Sequence, residues 1–226
     1  NRMKMLTFGQ SNVQKRYYKK KYPRLTIPKE GEKMSINRRQ VLLAGFAGLL
    51  ATRVAQATPA VVPPIWDGQK MYETLAKDGT GFSNPGKAGR PKAFVFFDTQ
   101  CSDCIRLMDR LHPIMDRVEI VFFPIAYMNP HSDPQATLIL TSKDPMAKLQ
   151  EQHDHFKDPD FRGIRYDITT LPMDVRQKVW TNTKLHRRSG CRAVPYGVYK
   201  NSKGEYVPFD ENLNTDELAT LFELNN

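Results

Sequence analysis

An unbroken apolar run, Ala93-Phe94-Val95-Phe96-Phe97, constrains this chain more than any other feature. Strands with one solvated face alternate apolar and polar side chains, so a run of strand length without alternation belongs to a strand covered on both faces. Such strands lie inside α/β sheets. The run ends at Asp98 and leads through Thr99-Gln100 into Cys101-Ser102-Asp103-Cys104. The C-terminal end of a strand is where α/β sheets present their sites. If a helix begins at Cys101, the two thiols sit one turn apart and can close and reopen a small disulfide.

The same geometry separates the roles of the two sulfurs. A thiolate at a helix N-terminus faces unpaired N–H groups and the positive end of the helix dipole, which stabilise the anion. Cys101 is therefore the expected nucleophile, and Cys104, a turn further in, the resolving thiol. A CxxC is also half of a zinc site, but such a site carries a second pair or a paired-His motif, and the only other cysteine is Cys191. A purely structural disulfide gains little, because closing so short a loop restricts the unfolded chain weakly. No metal and no cofactor is expected.

The formal net charge of +10 suggests nucleic acid until it is placed along the chain. Residues 1–57 hold 13 of the 34 Lys and Arg and only 2 of the 24 Asp and Glu, so the remainder is almost balanced. The basicity belongs to the leader, and no nucleic-acid partner is expected. Residues 34–57 have the parts of an export signal: Arg38-Arg39, an apolar stretch from Val41 to Ala51 too short to span a bilayer, and Ala55-Gln56-Ala57 as a cleavage site before Thr58. The paired arginines, the diluting Gly45 and Gly48, and Arg53 favour the twin-arginine route over ordinary secretion. Met34 reads as a natural start, and residues 1–33, with the basic stretch Lys15 to Lys21, as an upstream or disordered segment. Export and a redox-active CxxC together predict the periplasm.

From Thr58 onward the pattern predicts a helix over Trp66 to Ala76, a Gly/Pro/Lys loop from Gly79 to Pro91, and the buried strand at Ala93 to Phe97. Residues 58–91 thus form an N-terminal helix and linker, and 92–226 the main domain. A crossover helix over Cys101 to Arg117, kinked at Pro113, leads to a second buried strand, Glu119 to Ala126, parallel to the first. From about 129 to 190 the pattern is helical, with helices at Asp133 to Thr141, Pro145 to Phe156 and Pro172 to Arg187. A hairpin follows, Tyr196 to Lys200 and Glu205 to Pro208 around Asn201-Ser202-Lys203-Gly204. Asn214 caps a final helix to Leu224, with Glu217 completing a capping box.

This order, a βαβ unit, a helical insertion and a C-terminal ββα unit, resembles a thioredoxin-like α/β fold. More narrowly, the chain is similar to the catalytic domain of the periplasmic thiol:disulfide interchange proteins DsbG and DsbC, from about Ala93 to Leu221. The residues that carry the likeness are Phe96-Phe97-Asp98 before the CxxC, Gln135 to Pro145 in the insertion, and Ala193-Val194-Pro195-Tyr196-Gly197-Val198 before the hairpin. The resemblance implies that Pro195 follows a cis bond and packs against the active-site sulfurs, and that Val194 offers backbone groups to an extended substrate. It also implies protein substrates with disulfides or oxidised cysteines, and a membrane thiol–disulfide electron donor or acceptor.

Three features depart from that pattern. Thr58 to Pro91 is too short for the family's N-terminal dimerisation domain, which predicts a monomer and an oxidoreductase rather than an isomerase. Ser102 and Asp103 tune the pair: a carboxylate beside Cys101 disfavours its thiolate, so a couple less oxidising than that of DsbA is expected, and Asp103→His should shift it in the oxidising direction. Cys191 is a third thiol, either an accessory one near the active site or simply packed. Two other readings remain open at this level, a binding or assembly factor of low turnover and a metal carrier using Cys101, Cys104 and Cys191. His153 and His155 are two apart and do not share a helix face, and His112, His131 and His186 are isolated, so none is assigned a role.

Overall fold

The computed structural model describes residues 60, 62, 63, 65–84 and 89–224. The expected export signal at 34–57, the segment 1–33, Thr58 and the stretch 85–88 of the linker lie outside the described residues. The described elements run α1 (Gly68–Asp78), β1 (Phe82–Ser83), β2 (Lys92–Phe97), α2 (Ser102–Leu111), β3 (Glu119–Pro124), α3 (Ser132–Thr141), α4 (Pro145–Asp154), α5 (Met173–Arg188), β4 (Tyr196–Lys200), β5 (Tyr206–Phe209) and α6 (Thr215–Leu221). They build one sheet in the order β1-β3-β2-β4-β5, in which β2 pairs parallel with β3 and antiparallel with β4.

The central strand β2 is buried on both faces, as its composition requires. On one face Tyr72 of α1 stacks on Phe94 at 4.3 Å, and Phe96 meets the His186 ring of α5 at 5.1 Å. The other face takes Phe209 and Tyr199 against Phe222, just past α6. There α2 is tied to the start of α6 by Thr215 Oγ1 donating to Arg110 O at 2.9 Å. Burial of each such side chain contributes about 1.5–3 kcal/mol, which makes these two layers the main source of stability. Gly197 on β4 is fixed by the same crowding, because a Cβ there would stand 2.2 Å from the Phe209 ring.

The expected elements form with corrected ends. Asp67, not Trp66, starts α1: its carboxylate accepts from Lys70 N at 3.0 Å. Pro113 does not kink a longer helix but ends it. Lacking an N–H, it cannot continue the ladder, so α2 stops at Leu111 and His112–Ile114 forms a 3-10 turn. The Gly79 to Pro91 loop contains β1, an edge strand of two residues held by Asn84, whose side chain accepts from Ile120 N at 2.7 Å and donates to Val118 O at 3.0 Å. Strand β3 stops at Pro124 rather than Ala126, and the hairpin partner is Tyr206–Phe209 rather than Glu205 to Pro208. Asn214 and Glu217 form the expected capping box, although α6 ends at Leu221.

Candidate active site

Cys101 is the N-cap residue of α2. Its φ of −95° and ψ of 118° are extended, and its sulfur accepts from Cys104 N at 3.3 Å, in the place where a Ser or Asp oxygen usually caps. In the protonated state Cys101 Sγ donates to Val194 O at 3.2 Å, and the Val194–Pro195 bond is cis. The fold thus brings Cys101, Cys104, Val194 and Pro195 to one place, from segments more than ninety residues apart in sequence. All three cysteines are free thiols.

The two sulfurs have opposite tendencies, for one reason seen from its two ends. The Cys104 thiol donates a hydrogen bond that pulls the Cys101 pKa down; burial opposes this, and the backbone N–H groups of Cys104 and Asp103 assist it. Cys104 is pushed well above the ordinary thiol range, first by burial and then because its proton is held by Cys101. Of the two, Cys101 is the thiol that ionises more readily and Cys104 the one that holds its proton. The carboxylate of Asp103 works against the Cys101 anion, but as the smallest of the named causes. Arg106, one turn on, sits 2.5 Å from that carboxylate and offsets it. Ser102 is exposed beside them.

The loop that delivers Cys101 is held by buried polar groups. Asp98 is 1% exposed and accepts from Gln100 N (2.8 Å), Ser132 Oγ (2.7 Å), Tyr127 N (2.7 Å) and Met128 N (2.9 Å). Gln152 of α4 donates to Thr99 O at 2.7 Å. Gln100 donates to Gln135 of α3 at 2.6 Å and accepts from Asn129 at 3.0 Å. Each residue between β2 and Cys101 is thus tied to the helical insertion or to the segment after β3. Sequence reasoning assigned none of them a role; the signal was a carboxylate and amides standing beside otherwise buried segments.

The remaining candidates fall elsewhere. Cys191 is 4% exposed and its thiol faces Met71 Sδ of α1 at 3.7 Å; burial pushes its pKa up to about 11. His153 and His155 turn to different carboxylates, Asp109 and Asp158, each at 2.8 Å. His186 is 1% exposed, with Nε2 2.9 Å from Ala193 O. Among the described residues no three His, Cys, Asp or Glu side chains converge on a point that could hold a metal ion, so Cys101, Cys104 and Cys191 do not form the shared site a metal carrier needs. No helix among the described residues is long and apolar enough to cross a membrane.

No family model and no curated protein matches this chain. Solved structures do match. A periplasmic thioredoxin-like protein from Salmonella enterica serovar Typhimurium aligns with a TM-score of 0.54 at 18% identity, over 68% of this chain and 94% of that one. The catalytic domain of Proteus mirabilis ScsC aligns with a TM-score of 0.53 at 18% identity, over 70% and 97%. ScsC in its compact conformation gives 0.54 at 16% identity, over 71% and 80%. The chain has a thioredoxin-like fold.

Proposed function

We propose that this chain is a thiol–disulfide oxidoreductase acting on protein substrates that carry disulfides or oxidised cysteines. The observation that carries the reading is the opposed pair of sulfurs: a cysteine with a lowered pKa capping a helix, its proton-holding partner behind it, and a cis-proline segment against the first.

The chemistry follows from that arrangement. The Cys101 thiolate attacks one sulfur of a substrate disulfide, forming a mixed disulfide and releasing the other sulfur as a thiolate. Cys104 then gives up its proton and attacks Cys101 Sγ, which closes the Cys101–Cys104 disulfide and frees the second substrate thiol. Two electrons pass from the dithiol to the substrate. With a sulfenylated cysteine the first leaving group is hydroxide, taken up as water, and the rest is unchanged. The substrate main chain docks beside Val194, whose N–H has no hydrogen-bond partner among the described residues. Return of the pair to the dithiol needs two electrons from a second thiol–disulfide protein, for which a membrane donor is proposed.

The export signal read at 34–57 and the periplasmic origin of the Salmonella protein support a periplasmic location. Insulin reduction by the wild type and by Cys101→Ser tests the enzymatic reading. Activity is expected in the first and not in the second, and equal rates would overturn the proposal.

A further inference from the structure

His186 lies in a stretch, Leu185-His186-Arg187-Arg188, that reads as the basic end of a surface helix. Its ring is nevertheless buried between the Phe96 and Tyr127 rings in edge-type contacts, with centroids at 5.1 Å and 5.7 Å. The polar contact it makes is Nε2 to Ala193 O at 2.9 Å, and Nδ1 is buried with no partner among the described residues. A carbonyl oxygen only accepts, so Nε2 carries the proton and Nδ1 is the bare nitrogen. Burial lowers the pKa of the imidazole, which keeps it in this neutral form. An orphaned buried nitrogen is unfavourable, and an apolar ring would fill the same space without it. What the imidazole supplies in exchange is one hydrogen bond to the main chain.

That bond lands on a particular peptide unit. Ala193 C=O and Val194 N–H belong to the same planar group, and in a trans peptide they point in opposite directions. Holding the carbonyl toward α5 therefore aims the N–H away from it. The next unit along, Val194 to Pro195, is the cis one, and its carbonyl receives the Cys101 thiol.

We propose that His186 is a positioning residue for substrate docking: by gripping Ala193 O it fixes the peptide plane that presents Val194 N–H to an incoming substrate strand. The proposal rests on the oxidoreductase reading above and adds to it a determinant of substrate main-chain recognition that lies outside the CxxC and the proline.

The test compares two disulfides on the full chain in the reduced state: an extended peptide with a central disulfide, and a small aromatic disulfide with no peptide group. The ratio of their rate constants for mixed-disulfide formation is measured in wild type, His186→Phe and His186→Gln. His186→Phe keeps the aromatic packing and lacks the donor, so its peptide-to-small ratio is expected to fall about fivefold to tenfold, the effect of one hydrogen bond. His186→Gln restores an N–H donor and should recover most of that loss. An unchanged ratio in His186→Phe, or equal loss in both variants, overturns the proposal. Nitrogen NMR of the wild-type imidazole gives a check that needs no variant: the Nε2–H tautomer is expected, and an Nδ1–H tautomer overturns the proposal. Failure of the wild type to react with either disulfide would overturn the oxidoreductase reading, and this inference with it; loss confined to the variants' ratio is what separates the two.

Discussion

Replacing Cys104 by Ala tests the physical basis of the site most directly, because the Cys104 thiol is the largest single cause of the lowered Cys101 pKa. A hydrogen bond to an ionised acceptor contributes about 1.5–3 kcal/mol, which at a fixed pH below the pKa reduces the thiolate fraction by roughly ten- to a hundredfold. A more basic thiolate is also a better nucleophile, with a Brønsted slope of about 0.4–0.5, so roughly half of that factor on a logarithmic scale returns. The net expectation is a Cys101 alkylation rate about three- to tenfold below that of the wild type at the same pH, with the pH profile moved toward alkali. The backbone N–H of Cys104, 3.3 Å from Cys101 Sγ, survives the change and keeps part of the stabilisation. Cys104→Ser retains a hydroxyl donor and should fall between the two. Iodoacetamide kinetics across the pH range, followed on the intact protein, supply the measurement. Should Cys101 in Cys104→Ala react as fast as in the wild type, the account of how the site activates its nucleophile is wrong.

Other changes have signs fixed by the same geometry. Asp103→Asn should make the couple more oxidising and Arg106→Ala less so, each by about 5–20 mV in a glutathione titration, since the pair is half exposed and such charges contribute little; shifts of the same sign would contradict the assignment. Asp98→Ala leaves four donors around one buried site without their acceptor and should destabilise the protein by about 3–5 kcal/mol in urea, whereas a loss below about 1 kcal/mol would show that the loop is held otherwise. Cys191 bears on alkaline stability: its folded pKa of about 11 lies above the ordinary value of 9.0, so its contribution is complete below pH 9.0 and is lost as pH rises through about 11. The stability difference between the wild type and Cys191→Ala should therefore narrow by about 2–3 kcal/mol over that interval, and a constant difference would place the thiol in a less buried setting.

The parts of this fold that were legible in the sequence are those whose determinants are local. Ala93 to Phe97 announces a doubly covered strand because every position is apolar, and Asn214 with Glu217 announces a helix start because both partners of the capping box lie within one turn. The CxxC was readable as a pair for the same reason. Strand β1 was not, since two residues carry no periodicity and its place depends on Asn84 reaching the main chain of β3 and the turn before it. His186 was assigned no role in the sequence, because the groups it meets in space, Phe96, Tyr127 and Ala193, do not adjoin it along the chain. Buried polar residues take their roles from contacts distant in sequence; the local signal, a polar side chain beside an apolar segment, marks the residue but does not name its partner.

Those same residues explain why a thioredoxin-like core would carry a helical insertion. Capping by Cys101 works only if the chain leaves β2 and enters α2 with the sulfur facing the first turn, and Asp98, Thr99 and Gln100 are polar groups at an otherwise apolar handover. Left unpaired, each would favour a loop that opens to water. Ser132 and Gln135 of α3 pair with the side chains of Asp98 and Gln100, and Gln152 of α4 pairs with the main-chain carbonyl of Thr99, whose hydroxyl is buried without a partner among the described residues; Gly163 allows the fit, because a Cβ there would stand 2.1 Å from the Gln152 amide. A network in which each amide is satisfied has one arrangement, whereas a partly satisfied one has several. The insertion therefore does more than cover the sheet: it holds the strand-to-helix turn in the geometry that lowers the Cys101 pKa, while α5, through His186, holds the segment that sulfur faces.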